Sequence, residues 1–151
     1  MSITSKYMSQ ALQEAQAAYA RAEIPVGAVI VDCATGDVIA AAGNATEAAH
    51  DPTAHAEIRA IQQACRAKGA PRLPDCDLYV TLEPCPMCAT AISFARIRRV
   101  YFGAYDPKSG GVEHGPRIFT QATCHHAPEV YGGIDEQACA QLMKDFFKDK
   151  R

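Results

Sequence analysis

Two short motifs, His55-Ala56-Glu57 and Pro84-Cys85-Pro86-Met87-Cys88, restrict the folds open to this chain more than any other feature. Together they offer one imidazole and two thiols, a donor set suited to zinc. A structural zinc site is normally closed by four protein ligands, whereas three leave a position for a water that can react. The fold must then bring two segments 30 residues apart onto one point.

Local sequence suggests how. Cys85 and Cys88 are three apart at a predicted helix start, so they neighbour each other on the first turn. Free amides and the helix dipole there favour thiolate, the form that binds metal. His55 also falls near a predicted helix start, and two helices lying side by side would converge their N-termini on one ion. Glu57 reads as a proton shuttle for an activated water; the plainer reading is an acid answering the helix dipole. On a regular helix, residues two apart point about 200° apart. His55 and Glu57 can therefore face one water only if their helix starts irregularly or the glutamate curls back.

Periodicity supplies the elements around this centre. Residues 5–22 carry an apolar stripe at helical spacing (Met8, Leu12, Ala15, Tyr19) that ends before Pro25. Residues 26–31 form an unbroken apolar run, as in a strand buried on both faces. A turn at 32–37 and an antiparallel partner at 38–43 follow. A helix is predicted from Asp51-Pro52, with Asp51 as N-cap, a buried stripe of Ile58, Ile61 and Cys65, and an end at Gly69. Further strands are expected at 78–81, 100–103 and 129–131, and helices at 86–95 and from Asp135, the last with Ala138, Leu142 and Phe146 on one face. The 106–128 stretch reads as loop. Such alternation indicates a single α/β domain over residues 1–151, with helices covering a sheet.

Composition narrows the setting. The chain has no long apolar run and no basic, apolar and small-residue leader at its start, so neither a membrane span nor a signal peptide is expected. Seven cysteines at uneven spacing read as reduced thiols and metal ligands, which suggests the cytoplasm. The formal net charge of −2 hides an asymmetry: residues 1–88 hold 6 basic and 10 acidic side chains, residues 89–151 hold 9 and 7. The basic residues gather at Arg96, Arg98 and Arg99 and in the tail at Lys144, Lys148, Lys150 and Arg151.

The His-x-Glu and Pro-Cys-x-x-Cys pair resembles the zinc-dependent cytidine/deoxycytidylate deaminase superfamily. Within it, Glu23–Ala28, Asp51–Ile58, Leu78–Cys85, Ala95–Ile97, Phe102–Ala104, Asp106–Lys108 and Asp145–Phe147 look like the bacterial tRNA-specific adenosine deaminases, in the same order and over nearly the whole chain. The resemblance implies a cytidine-deaminase-like fold, a mixed five-stranded sheet between helices, working as a homodimer. It implies one Zn2+ per subunit on His55, Cys85 and Cys88, with Glu57 carrying protons. The implied reaction is hydrolytic deamination of the wobble adenosine to inosine in an arginine tRNA. Asn44, eleven residues before His55, would contact the base. Asp106 and Lys108 would lie near the flanking nucleotides, the basic tail would hold anticodon-loop phosphates, and Phe146 and Phe147 fit the family tail.

Three stretches depart from the family pattern. Ala45 stands where members often have Arg, and Ser109–Gly115 replaces a common Thr-Gly-Ala-Ala-Gly-Ser-Leu. Cys124-His125-His126 replaces an Asn-His. These changes lie away from the metal motif and keep a rival open, a deaminase of a free base or nucleoside such as guanine or cytosine. A second rival, a non-catalytic zinc or RNA-binding module, would need a fourth ligand from Cys76 or Cys124. His114, His125 and His126 are candidates for RNA contact or for plain surface and turn histidines.

Overall fold

The computed structural model describes residues 2–150. The first helix, α1 (Ile3–Ala20), begins under a Ser2 cap whose hydroxyl accepts from the Ser5 amide. Strands β1 (Gly27–Asp32) and β2 (Asp37–Gly43) form an antiparallel hairpin. A single turn of helix, α2 (Thr46–Ala49), precedes α3 (Ala56–Lys68), which ends on Gly69 in the left-handed conformation (φ 65°). Then come β3 (Cys76–Leu82), α4 (Pro86–Phe94), β4 (Arg99–Ala104), a 3-10 turn at Ile118–Thr120, β5 (Glu129–Tyr131) and α5 (Glu136–Asp149).

The five strands make one mixed sheet in the order β2-β1-β3-β4-β5. β1 is antiparallel to both β2 and β3, while β3, β4 and β5 run parallel. Side chains alternate across its plane with period two. Ala28, Ile30, Leu78, Val80, Val100 and Phe102 face one core, where they meet the alanines of α3 and Ala89 and Ile92 of α4. Val29, Val31, Tyr79 and Tyr101 face the other, against Tyr7, Met8 and Ala11 of α1 and Cys139 of α5. Each fully buried large side chain here contributes about 2 kcal/mol. Gly27 is needed where α1 crosses: a β-carbon there would fall 2.0 Å from the Ala11 carbonyl oxygen.

Two parallel strands therefore end at the same edge. β3 delivers Glu83, Pro84 and Cys85, and β4 delivers Tyr105 and Asp106, to the carboxyl end of the sheet, where α/β proteins place their ligands.

Several sequence expectations change. The second long helix starts at Ala56, not at Asp51-Pro52. Asp51 instead closes a tight turn in which its Oδ1 accepts from the amide and hydroxyl of Thr53. The buried stripe of α3 is Ala56, Glu57, Ala60 and Ala64, whereas Ile58, Ile61 and Cys65 are only partly buried. Small residues let this helix lie close to the sheet, a packing need that apolar periodicity alone ranks too low. On α5 the inward face is Cys139 and Phe146 with partly buried Leu142, and Ala138 is exposed. The 106–128 stretch is mostly loop but contains the 3-10 turn.

Candidate active site

His55 is the N-cap of α3 and has extended backbone (φ −72°, ψ 154°). Cys85 is the N-cap of α4 with the same extended geometry (φ −71°, ψ 170°), and Cys88 lies in that helix's first turn. Helices α3 and α4 pack side by side, so the two caps meet. His55 Nδ1 stands 3.6 Å from Cys85 Sγ and 3.4 Å from Cys88 Sγ. Tetrahedral zinc with its usual bond lengths to nitrogen and sulfur would set those separations at roughly 3.6 Å. The donor set and its spacing thus fit zinc, with Nδ1 as the histidine ligand. Among the described residues this is the one cluster of three such donors, and neither Cys76 nor Cys124 joins it. Cys124 instead lies near Ser93 Oγ and the His126 carbonyl.

The environment sets the two thiols apart. A hydrogen bond from Cys88 holds the Cys85 thiol well below its ordinary pKa, helped by His55 and the Cys88 amide, and drives Cys88 upward. Glu57, one residue into α3, is buried (4% exposed), and that burial pushes its carboxyl up to about 7. A carboxyl poised there can both take and return a proton near neutrality.

His55, Glu57 and Cys85 open onto a cavity of about 840 Å³. All four substrate-contact candidates read from the sequence line the same cavity: Asn44, Asp106, Lys108 and Phe147. The tail phenylalanines divide: Phe146 is buried, while Phe147 is 46% exposed on the cavity side of α5. Lys144 of α5 and Lys150, the cap that follows that helix, also border it, whereas Cys88 lies beneath, fully buried.

Two buried acids with no role assigned from sequence hold this wall in place. Glu23 accepts from the amides of Glu47 (3.1 Å) and Ala48 (2.8 Å) and from Asn44 Nδ2 (3.4 Å), fixing the Asn44 side chain at the start of α2. Glu83 accepts from Asp106, Val112, Glu113 and His114. Burial alone would raise the Glu83 pKa, but the Asp106 amide and the His114 ring, with the Val112 and His114 amides, outweigh it and hold the carboxyl below its ordinary value. A signal was present: each acid sits between apolar residues and a proline, in Glu23-Ile24-Pro25 and Leu82-Glu83-Pro84. The histidines in doubt also find places. His114 meets Glu83, His126 Nε2 meets the Ile97 carbonyl (2.6 Å), and His125 is exposed.

A mixed five-stranded sheet with a His/Cys/Cys donor set and a buried glutamate at its carboxyl edge defines a zinc-dependent hydrolytic deaminase domain. The family model for the cytidine and deoxycytidylate deaminase zinc-binding region matches residues 1–104. The tRNA-specific adenosine deaminase of Agrobacterium fabrum is 56% identical over 151 residues, covering 100% of this chain and 98% of its own. A structure solved in studies of A-to-I editing by tRNA:A34 deaminases at the wobble position of transfer RNA is 58% identical. It superposes with a TM-score of 0.88 over 91% of this chain and 98% of that one. A guanine deaminase from Nitrosomonas europaea shares the fold (TM-score 0.82) over 94% of this chain and 83% of its own, at 21% identity. The chain belongs to the tRNA-specific adenosine deaminases of the cytidine and deoxycytidylate deaminase family.

Proposed function

We propose that this enzyme converts the wobble adenosine of a tRNA, an arginine tRNA first, to inosine. The observation that carries the reading is the cavity itself. Its floor holds His55, Cys85 and Glu57, and its rim carries three lysines, Lys108, Lys144 and Lys150. A free base has no phosphate for these cations to meet, whereas an anticodon loop presents several, and such contacts position an RNA without reading its sequence. The A-to-I relatives point the same way.

Each chain would hold one zinc ion on His55, Cys85 and Cys88, and that ion supplies a water acidic enough to act as nucleophile near neutral pH. Glu57 takes a proton from the water and passes it to N1 of the adenine ring, which makes C6 electrophilic. The water's oxygen then adds at C6, Glu57 takes the remaining proton of that hydroxyl, and the C6–N6 bond breaks as Glu57 delivers this second proton to the departing nitrogen. One water is consumed and one ammonia released per inosine formed. Asn44 contacts the base edge, Asp106 and Lys108 border the flanking nucleotides, and the exposed ring of Phe147 offers a stacking face. The enzyme works in the cytoplasm, in keeping with its free cysteines, and as a homodimer, as the resemblance to the family implies; light scattering of the purified protein tests the assembly.

The deciding experiment compares an arginine tRNA anticodon stem-loop with free adenosine, cytosine and guanine as substrates. Inosine formation in the stem-loop, with little turnover of the small molecules, is expected. Turnover of a free base and not of the stem-loop would overturn the tRNA reading in favour of a free-base deaminase.

A further inference from the structure

Glu83 follows β3 directly and stands two residues before Cys85; it borders the cavity, yet its side chain has no exposed surface. Five donors reach its two oxygens. Oε1 accepts from the Asp106 amide (3.1 Å) and meets His114 Nδ1 (2.8 Å). Oε2 accepts from the amides of Val112 (3.2 Å), Glu113 (3.0 Å) and His114 (3.1 Å). The loop so gathered is pressed onto the Cys85 turn. The Gly111 amide donates to the Pro84 carbonyl (2.8 Å), and a β-carbon on Gly111 would fall 2.5 Å from the Pro86 nitrogen. One on Gly110 would fall 2.3 Å from Glu83 Oε2. Asp106 passes the order outward, because its Oδ1 accepts from the amides of Lys108 (3.2 Å) and Ser109 (3.0 Å), both on the cavity wall.

We propose that Glu83 is a positioning residue for substrate: it latches the 106–114 loop to the zinc-ligand turn and so sets where Asp106, Lys108 and Ser109 stand beside the bound RNA. The inference rests on the RNA reading given above. The carboxylate is chemically required because it only accepts, and every group aimed at it donates. Glutamine would turn an NH2 toward backbone amides and leave some of them without a partner. His114 adds a side-chain clasp to the backbone ones.

The test uses the zinc-loaded enzyme with Glu83→Gln and His114→Ala, reading zinc content, hydrogen exchange at residues 112–114, and kcat and KM on the stem-loop. Glu83→Gln is expected to keep its zinc, to exchange those amides at least about tenfold faster, and to raise KM about tenfold with kcat within about threefold of the parent. His114→Ala is expected to move KM the same way by less, because the backbone donors remain. Loss of zinc, a fall in kcat at unchanged KM, or unchanged exchange and KM in Glu83→Gln would each overturn the proposal. If Glu83→Gln does not fold, Gly110→Ala pushes the loop off the carboxylate without altering charge, and an unchanged KM there overturns it. A parent enzyme inert on the stem-loop defeats the RNA reading instead, while exchange and zinc content still decide whether the latch exists.

Discussion

His55 and Glu57 stand two residues apart and open onto the same cavity, because His55 is the extended N-cap of α3 and Glu57 lies within its first turn. A regular helix would turn them about 200° from each other. The break falls between the two side chains, with His55 outside the helix and Glu57 inside it. Glu57→Ala is accordingly expected to keep zinc while kcat falls by about a thousandfold. Cys85→Ala should lose both metal and activity. Metal analysis beside single-turnover kinetics separates the two outcomes, and a Glu57→Ala protein with near-parent kcat would remove the glutamate from the mechanism.

Zinc is also expected to stabilise the fold, because its three donors come from the starts of two helices that it would tie together. Any ligand that binds only the folded chain adds free energy, about 2.7 kcal/mol when free ligand is a hundredfold above its Kd. Chelation should therefore lower the melting temperature and abolish deamination, and added Zn2+ should restore both. A melting temperature indifferent to the chelator, with metal shown to be gone, would contradict this.

The clustering of His55, Cys85 and Cys88 and the positions of the strands were legible because each rests on local chemistry: Cys-x-x-Cys at a helix start, apolar runs between turns. The start of α3 was not. Asp51-Pro52 carries a strong helix-start signal, but Asp51 spends its carboxylate on Thr53, and tertiary packing of Ala56 and Ala60 against the sheet sets the true boundary. Glu23 and Glu83 stand beside apolar residues and a proline, but that pattern names no function, since the donors that surround each buried acid come from residues 21 to 31 positions away. Phe146 and Phe147 were legible as a pair, and the structure divides their roles.

That division can be measured. Phe146 is 5% exposed and packs edge-on against Tyr19 with ring centroids 5.4 Å apart, while Phe147 projects at the cavity. Phe146→Ala is expected to cost about 3–5 kcal/mol of stability. Phe147→Ala should leave the urea midpoint within error and raise KM for the stem-loop several-fold, as expected when a base loses a stacking partner worth about 1–3 kcal/mol. The reverse assignment, a stability loss only at 147, would show that α5 docks through a different face.

Away from the site, the ion pair of Asp32 and Lys68 joins the end of β1 to the last turn of α3. The hydrogen bond from Lys68, then that from the Ala34 amide, holds the Asp32 carboxyl below its ordinary value. A carboxyl depressed in the folded state contributes stability above its unfolded pKa and loses it as pH falls through the folded one. Asp32→Asn should therefore be less stable than the parent at neutral pH, and the gap should close as the solution is acidified below about pH 4. Urea midpoints of both proteins, titrated from neutral to acid, give the answer. A gap of constant size across that range would mean the aspartate acts through its shape and not its charge.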